Sequence, residues 1–203
     1  MLYFLLTKRV MREKEMLTDK KRKTIIFLIA VMQNLVFFVV SYFTKLPLWL
    51  DTTGTIYISI LLGYQFGFCV GLINSLFSAL FFYGYHSIIF YLVSFSVAIL
   101  SDVIYHHINK RKKWIVMYFA LSFAGGLCAS LLTLIFDNGI PADYWTRNWY
   151  NYLLVLKVIP FFSTVISILA MKSLDTLISL LLVGLSIKLT PKRIKTDKCI
   201  IQL

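Results

Sequence analysis

Three places in this sequence bring chemistry-bearing side chains within reach of one another. Asp102 precedes His106 by four residues and His107 by five, so Asp102 and His106 share a helix face. That pair is either part of a metal site or a polar edge beside a basic loop. Lys172 and Asp175 stand at i and i+3, the spacing of a helical ion pair. Asp51, followed by Thr52 and Thr53, suits a helix N-cap and equally a ligand contact at a helix start. Gln33, Asn34, Asn74 and Lys157 are single polar residues inside apolar stretches. Each costs several kcal/mol in lipid unless it is paired or faces a cavity, so interhelical hydrogen bonds and cavity lining are the two readings.

Most catalytic chemistry lacks its parts. There is no GxxxxGK[ST] phosphate loop, no HExxH and no GxSxG. Cys69, Cys128 and Cys199 form no CxxC or Cys/His ligand spacing, which argues against disulfides and zinc. The chain is therefore expected not to be an enzyme, to need no cofactor and to hold no metal.

The elements that must position these residues are membrane helices. Of 203 residues, 59% are hydrophobic and 15% charged, with mean hydropathy +0.79. A soluble domain of this size cannot hide so much apolar surface, whereas lipid accommodates it. The net charge of +12 is concentrated: 17 of the 21 Lys and Arg lie in Lys8–Lys23, Lys110–Lys113 and Lys188–Lys198. Each run abuts an apolar segment, as cytoplasmic topology signals do, and suits contact with anionic membrane lipids. No basic face interleaves with aromatics in a polar domain, so nucleic acid is not expected as a partner.

The spacing predicts an all-α integral membrane protein, a six-transmembrane-helix bundle with both termini in the cytoplasm. Residues 1–23 form a basic cytoplasmic segment, 24–190 the membrane domain, and 191–203 a basic cytoplasmic tail. Met1–Thr7 is apolar but too short for a signal h-region, and suits a membrane-surface anchor. The expected spans are Thr24–Phe43, Asp51–Gly63, Gln65–Phe82, Ile88–Tyr105 and Trp114–Phe136, with a final one over Leu174–Leu189. The stretch from Tyr150 to Leu189 is too long for one perpendicular helix. Two spans there would put the basic tail outside, so its first half, with Lys157 and Pro160, is expected to lie obliquely or along the outer surface. Gly63, Gly67 and Gly71, and likewise Ser122, Gly126 and Ser130, recur at steps of four, which lets helix backbones approach closely.

Residues Leu50 to Asn74 read LDTTGTIYISILLGYQFGFCVGLIN. This resembles the second and third helices of energy-coupling-factor (ECF) transporter S components, whose pattern has LDTxGT, then LG, then GxxVGxxxN. Asp51, Thr52, Gly54, Thr55, Gly63, Gly67, Val70, Gly71 and Asn74 sit on that pattern. The ending Ser173-Leu-Asp175-Thr-Leu-Ile-Ser179, closed by Leu189-Thr-Pro191-Lys192, is similar to the family's too. Tyr64-Gln65 stands where the family often has Pro-Trp, and Thr176 where it often has Lys. The small-xxx-small pair that docks the family's first helix on a coupling protein has its nearest counterpart in Ala30 and Asn34. The resemblance implies a subunit of the bacterial plasma membrane that captures a vitamin-like or other small-molecule substrate. A coupling transmembrane protein and an ATPase pair would drive its uptake. The alternative is a non-transport membrane sensor or scaffold built on a related bundle.

For the binding site, the three expected outward ends hold Trp49, Tyr83, Tyr85, His86, Tyr144, Trp145, Trp149 and Tyr150. Such rings form either an interfacial belt or the walls of a pocket for an amphipathic ligand. The expected substrate contacts are Asp51, Thr55, Asn74, Tyr85, His86 and Trp145, with His86 as the pH-sensitive one.

Overall fold

The computed structural model describes the backbone at residues 2–109 and 111–190, with side chains from Asp19 onward. Lys110 and the basic tail 191–203, including Cys199 and the Pro191-Lys192 ending, lie outside the described residues, as do the side chains of the apolar start and of Lys8–Lys14. Among the described residues every regular element is helical. The helices are α1 (Leu2–Thr44), α2 (Thr53–Leu62), α3 (Tyr64–Ser78), α4 (Tyr91–His107), α5 (Lys113–Phe136), α6 (Tyr144–Val155) and α7 (Pro160–Leu189). A π-turn at Ala79–Tyr83 and a 3₁₀ turn at Tyr85–Phe90 join α3 to α4 around Gly84.

Among the described residues, five stretches are long and apolar enough to cross a membrane: Asp19–Thr44, Tyr64–Tyr83, Tyr85–His107, Lys113–Phe136 and Pro160–Leu189. This is the build of a multi-pass membrane protein. Their outer faces carry exposed Leu28, Met32, Phe81, Phe119, Phe123, Leu131 and Leu181, which lipid would solvate. Phe43, Val155 and Leu189 are exposed at helix ends.

The second expected span, Asp51–Gly63, is not a helix of spanning length. Helix α2 has ten residues, or about 15 Å, half the thickness of a hydrocarbon core. It is also the centre of the bundle: Thr53 to Leu61 are all buried, between α1, α3, α4 and α7. A helix so enclosed must have thin neighbours, and the expected small residues supply them. A Cβ on Gly54 would sit 2.0 Å from the Ala30 carbonyl oxygen, and one on Gly67 would sit 2.0 Å from Ser59 Oγ. Gly71 faces Ser94 in the same way, and Gly126 seats Leu169 of α7 against α5.

Several polar residues inside the bundle pair across helices. Asn34 Nδ2 donates to Thr55 Oγ1 at 3.0 Å, and Asn34 Oδ1 accepts from the Gly54 amide. Gln33 Nε2 donates to Ser186 Oγ at 2.8 Å. The Ala30 and Asn34 pair therefore faces α2, both residues being fully buried. It is an internal seat for Gly54, not an outward docking face.

The last third corrects the sequence expectation. The apolar stretch breaks at 156–159, where Lys157 adopts φ 61°, and α7 then runs unbroken for 30 residues from Pro160. Proline suits this first position because its missing N–H would be unsatisfied there anyway. The span is therefore Pro160–Leu189 instead of Leu174–Leu189. The segment that stays outside it is α6, begun by Asp143, whose Oδ2 accepts from Thr146 N at 2.9 Å. Lys157 is exposed at the break, while Lys172 and Asp175 move from the edge of a span to the middle of one.

Two ends of the bundle differ in character. One gathers Gly63, Asp102, His106, Lys113, Trp114 and Thr190, linked by Tyr64 N to Asp102 Oδ2 at 3.0 Å and Tyr57 OH to Thr190 Oγ1 at 2.8 Å. Lys113 lies 3.7 Å over the Tyr105 ring there. The other end gathers Lys45, Tyr83, Gly139 and α6, tied by Trp145 Nε1 to the Lys45 carbonyl at 2.7 Å and Thr164 Oγ1 to the Gly139 carbonyl.

Candidate functional site

The chain between α1 and α2 does not turn back at the surface. Residues 45–52 descend from the α6 end without regular structure until α2 starts at mid-bundle. Buried backbone outside a helix needs partners for its N–H groups, since lipid and apolar side chains offer none. Asp175 supplies them. Its Oδ1 accepts from Trp49 N at 3.1 Å and Leu50 N at 2.7 Å, and its Oδ2 accepts from Lys172 Nζ at 2.7 Å. Leu50 is held there at φ 50°, a region that non-glycine residues seldom occupy. Ser41 closes the descent from above by donating to the Leu48 carbonyl.

Lys172 is thus held on three sides. Besides Asp175, Asp51 Oδ1 lies 4.0 Å from its Nζ, and the Trp49 ring centroid 5.3 Å away. Lys172 and Asp175 are each 1% exposed. An ion pair this deep survives desolvation only with close geometry and additional hydrogen bonds, and it has both.

Above this triad is a cavity of about 230 Å³. Asp51, Asn74 and Lys172 line its floor, Phe38, Trp49, Tyr83 and Phe90 its sides, and Asp137, Asp143 and His86 stand higher among its lining. An adjoining chamber of about 680 Å³ shares Phe38, Trp49, Tyr83 and Asp143 with it and is bounded by Lys45, Tyr144 and Trp145. The two lie side by side, between the α6 end of the bundle and its middle.

Four of the six residues expected as contacts line one or other of these cavities. Asp51, Asn74 and His86 line the inner cavity, and Trp145 the outer chamber. Asn74 is 3% exposed; its Nδ2 points to the Asp51 carbonyl at 3.4 Å and its Oδ1 has no partner. Thr55 and Tyr85 are not brought there. Thr55 lies a turn deeper into α2, fully buried, with its hydroxyl taken by Asn34. Tyr85 sits on the 3₁₀ turn just after Gly84 and is 76% exposed, pointing away from the bundle. Of the other rings, Tyr150 is buried, while Trp149 faces outward.

Sequence reasoning missed the floor. Lys172 and Asp175 were expected to pair with each other, and they do, but their role in holding 49–50 depends on a long-range contact. The available signal was a lysine and an aspartate at helical spacing within apolar sequence. Asp137 and Asp143 gave only the signal of a loop. The Asp102 and His106 pair lies at the opposite end. Asp102 Oδ1 stands 2.8 Å from His106 Nδ1 while Oδ2 caps the start of α3. Among the described residues no group of three His, Cys, Asp or Glu could hold a metal ion.

No family model, curated protein or solved structure matches the chain.

Proposed function

We propose that this chain is the substrate-binding membrane subunit of an ATP-driven importer, working in the manner of ECF transporter S components. Its substrate is a vitamin-like or other small solute. The observation that carries this reading is the mid-bundle cavity lined by Asp51 and Lys172, the latter paired to Asp175, with Asn74 Oδ1 unpaired in its lining. A lipid-facing scaffold has no use for a charged floor at that depth, whereas a binding site does. The resemblance over Leu50 to Asn74 supports the same reading, because Asp51 and Asn74 of that stretch meet in the cavity.

In this account the chain lies in the bacterial plasma membrane with six crossings, the descent 45–52 and α2 together making the second. Both termini and the Lys110–Lys113 loop face the cytoplasm, near anionic lipid, and the α6 end faces outward. The chain does no chemistry itself. A coupling membrane protein and an ATPase pair supply the energy, since the sequence has no phosphate loop of its own. The test is affinity purification of the full chain from its native membranes, followed by uptake assays on what co-purifies. An ATPase pair and a second membrane protein, with ATP-dependent solute uptake in liposomes, are expected. A two-component regulator in their place would favour the sensor reading, and accumulation against a gradient by the chain alone would refute ours.

A further inference from the structure

The cavity walls select one chemical class of solute, granted the reading of the cavity as a solute site. Among the described residues, the buried polar side-chain atoms of its lining without a hydrogen-bond partner are Asp51 Oδ1, which stands 4.0 Å from Lys172 Nζ, and Asn74 Oδ1. Both are acceptors. The Asn74 amide nitrogen is already directed to the Asp51 carbonyl, so its oxygen is what remains for the cavity. A solute that completes this floor must donate hydrogen bonds.

Charge narrows the class further. Asp51, Asp137 and Asp143 line the inner cavity, against Lys172 and His86. The Lys172 ammonium is held from behind by Asp175 at 2.7 Å, so it does not free a positive charge for the solute. The remaining cations nearby are Lys45 in the outer chamber and Arg147, whose Nε donates to the Pro141 carbonyl at 2.9 Å. Even with both counted, the carboxylates of Asp51, Asp137, Asp143 and Asp175 outnumber Lys172, Lys45 and Arg147. An anionic solute would meet an excess of its own sign and two acceptors. A neutral alcohol would satisfy the acceptors and leave the carboxylates uncompensated. A bare divalent ion lacks a cluster of ligands among the described residues.

An ammonium group supplies both donors and charge. Phe38, Trp49, Tyr83 and Phe90 line the same space, and aromatic rings attract a cation and cover its apolar part. At about 230 Å³ the inner cavity falls below the roughly 300–1,000 Å³ of sites for drug-sized ligands. The geometry points to a small organic ammonium ion as the solute, with its N–H groups on Asp51 Oδ1 and Asn74 Oδ1.

The test uses the purified full chain in lipid nanodiscs and three probes of one shape: benzylammonium, benzyl alcohol and benzoate. Trp49 lies in the wall, so intrinsic fluorescence reports occupancy. Benzylammonium is expected to bind at least about tenfold more tightly than benzyl alcohol, a difference of about 1.4 kcal/mol, and benzoate more weakly still. Asp51→Asn should erase that preference, and Asp137→Asn, higher in the cavity, should reduce it with thermal stability unchanged. Equal or tighter binding of benzyl alcohol or benzoate would overturn the inference while leaving a solute site in place. So would a preference that survives Asp51→Asn. Failure of all three probes, in protein that also carries no co-purified solute, would remove the site and the proposed function together.

Discussion

Replacing Asp175 tests how the cavity floor is built. This carboxylate accepts from Lys172 Nζ at 2.7 Å, Trp49 N at 3.1 Å and Leu50 N at 2.7 Å, at a site 1% exposed. Asp175→Ala strands an ammonium whose next anionic neighbour, Asp51 Oδ1, is 4.0 Å away. Breaking a buried pair from one side costs roughly 3–5 kcal/mol. The two amides add about 1–3 kcal/mol each where water from the cavity cannot reach them. Asp175→Asn keeps an acceptor for both amides and should lose less. Lys172→Met leaves Asp175 with two N–H partners, and the double variant Lys172→Met/Asp175→Asn removes both charges. A double-mutant cycle, read by reversible unfolding in mixed micelles of rising SDS content, should therefore give a coupling of at least about 2 kcal/mol. A loss under about 1 kcal/mol for Asp175→Ala, or additive single variants, would refute the triad as the support of 45–52.

Three further outcomes follow from the same geometry. Gly54→Val, which would drive a side chain into the Ala30 carbonyl, should destabilise the bundle by roughly 1–3 kcal/mol or more, whereas Gly84→Ala, with open space beyond its Cβ, should cost only the strain of its φ of 81°. Asn74→Ala should weaken binding of the co-purified solute at least tenfold, about 1.4 kcal/mol, with normal expression; Trp145→Ala, in the outer chamber, should weaken it less, and parent-like affinity in both would place binding elsewhere. In intact cells, on a background free of other cysteines, an impermeant thiol reagent should label Ile140→Cys and spare Lys112→Cys, and the opposite pattern would invert the topology.

The sequence made the helices legible because lipid demands long apolar runs, and three of the long stretches, Tyr64–Tyr83, Tyr85–His107 and Lys113–Phe136, start and stop within a few residues of expectation. It misled where a residue count stood in for a path. Asp51–Gly63 was apolar and bounded by breakers, so it counted as a span, yet its helix covers only Thr53–Leu62 and is preceded by irregular chain. The length of Tyr150–Leu189 and the basic tail after it suggested an oblique segment that included Pro160, but proline at a helix start begins α7 without disturbing it. Asn74 and Asp51 were legible as residues that meet a cavity, because polar groups in apolar surroundings require partners or a cavity. Thr55 met the same criterion and found its partner in Asn34, 21 residues away in sequence. Asp137 and Asp143 look like ordinary loop residues until α6 folds back over the bundle. Long-range packing, not local pattern, decides which polar residues share a space.

The most direct test of the central claim is native mass spectrometry of the chain purified from its own membranes, beside a variant with the cavity filled. Ser78 lines the inner cavity from the end of α3, so Ser78→Phe should occupy it without touching the triad. The account predicts a small molecule bound one to one in the parent and absent from the variant, at equal thermal stability. The same solute content in both proteins would contradict it.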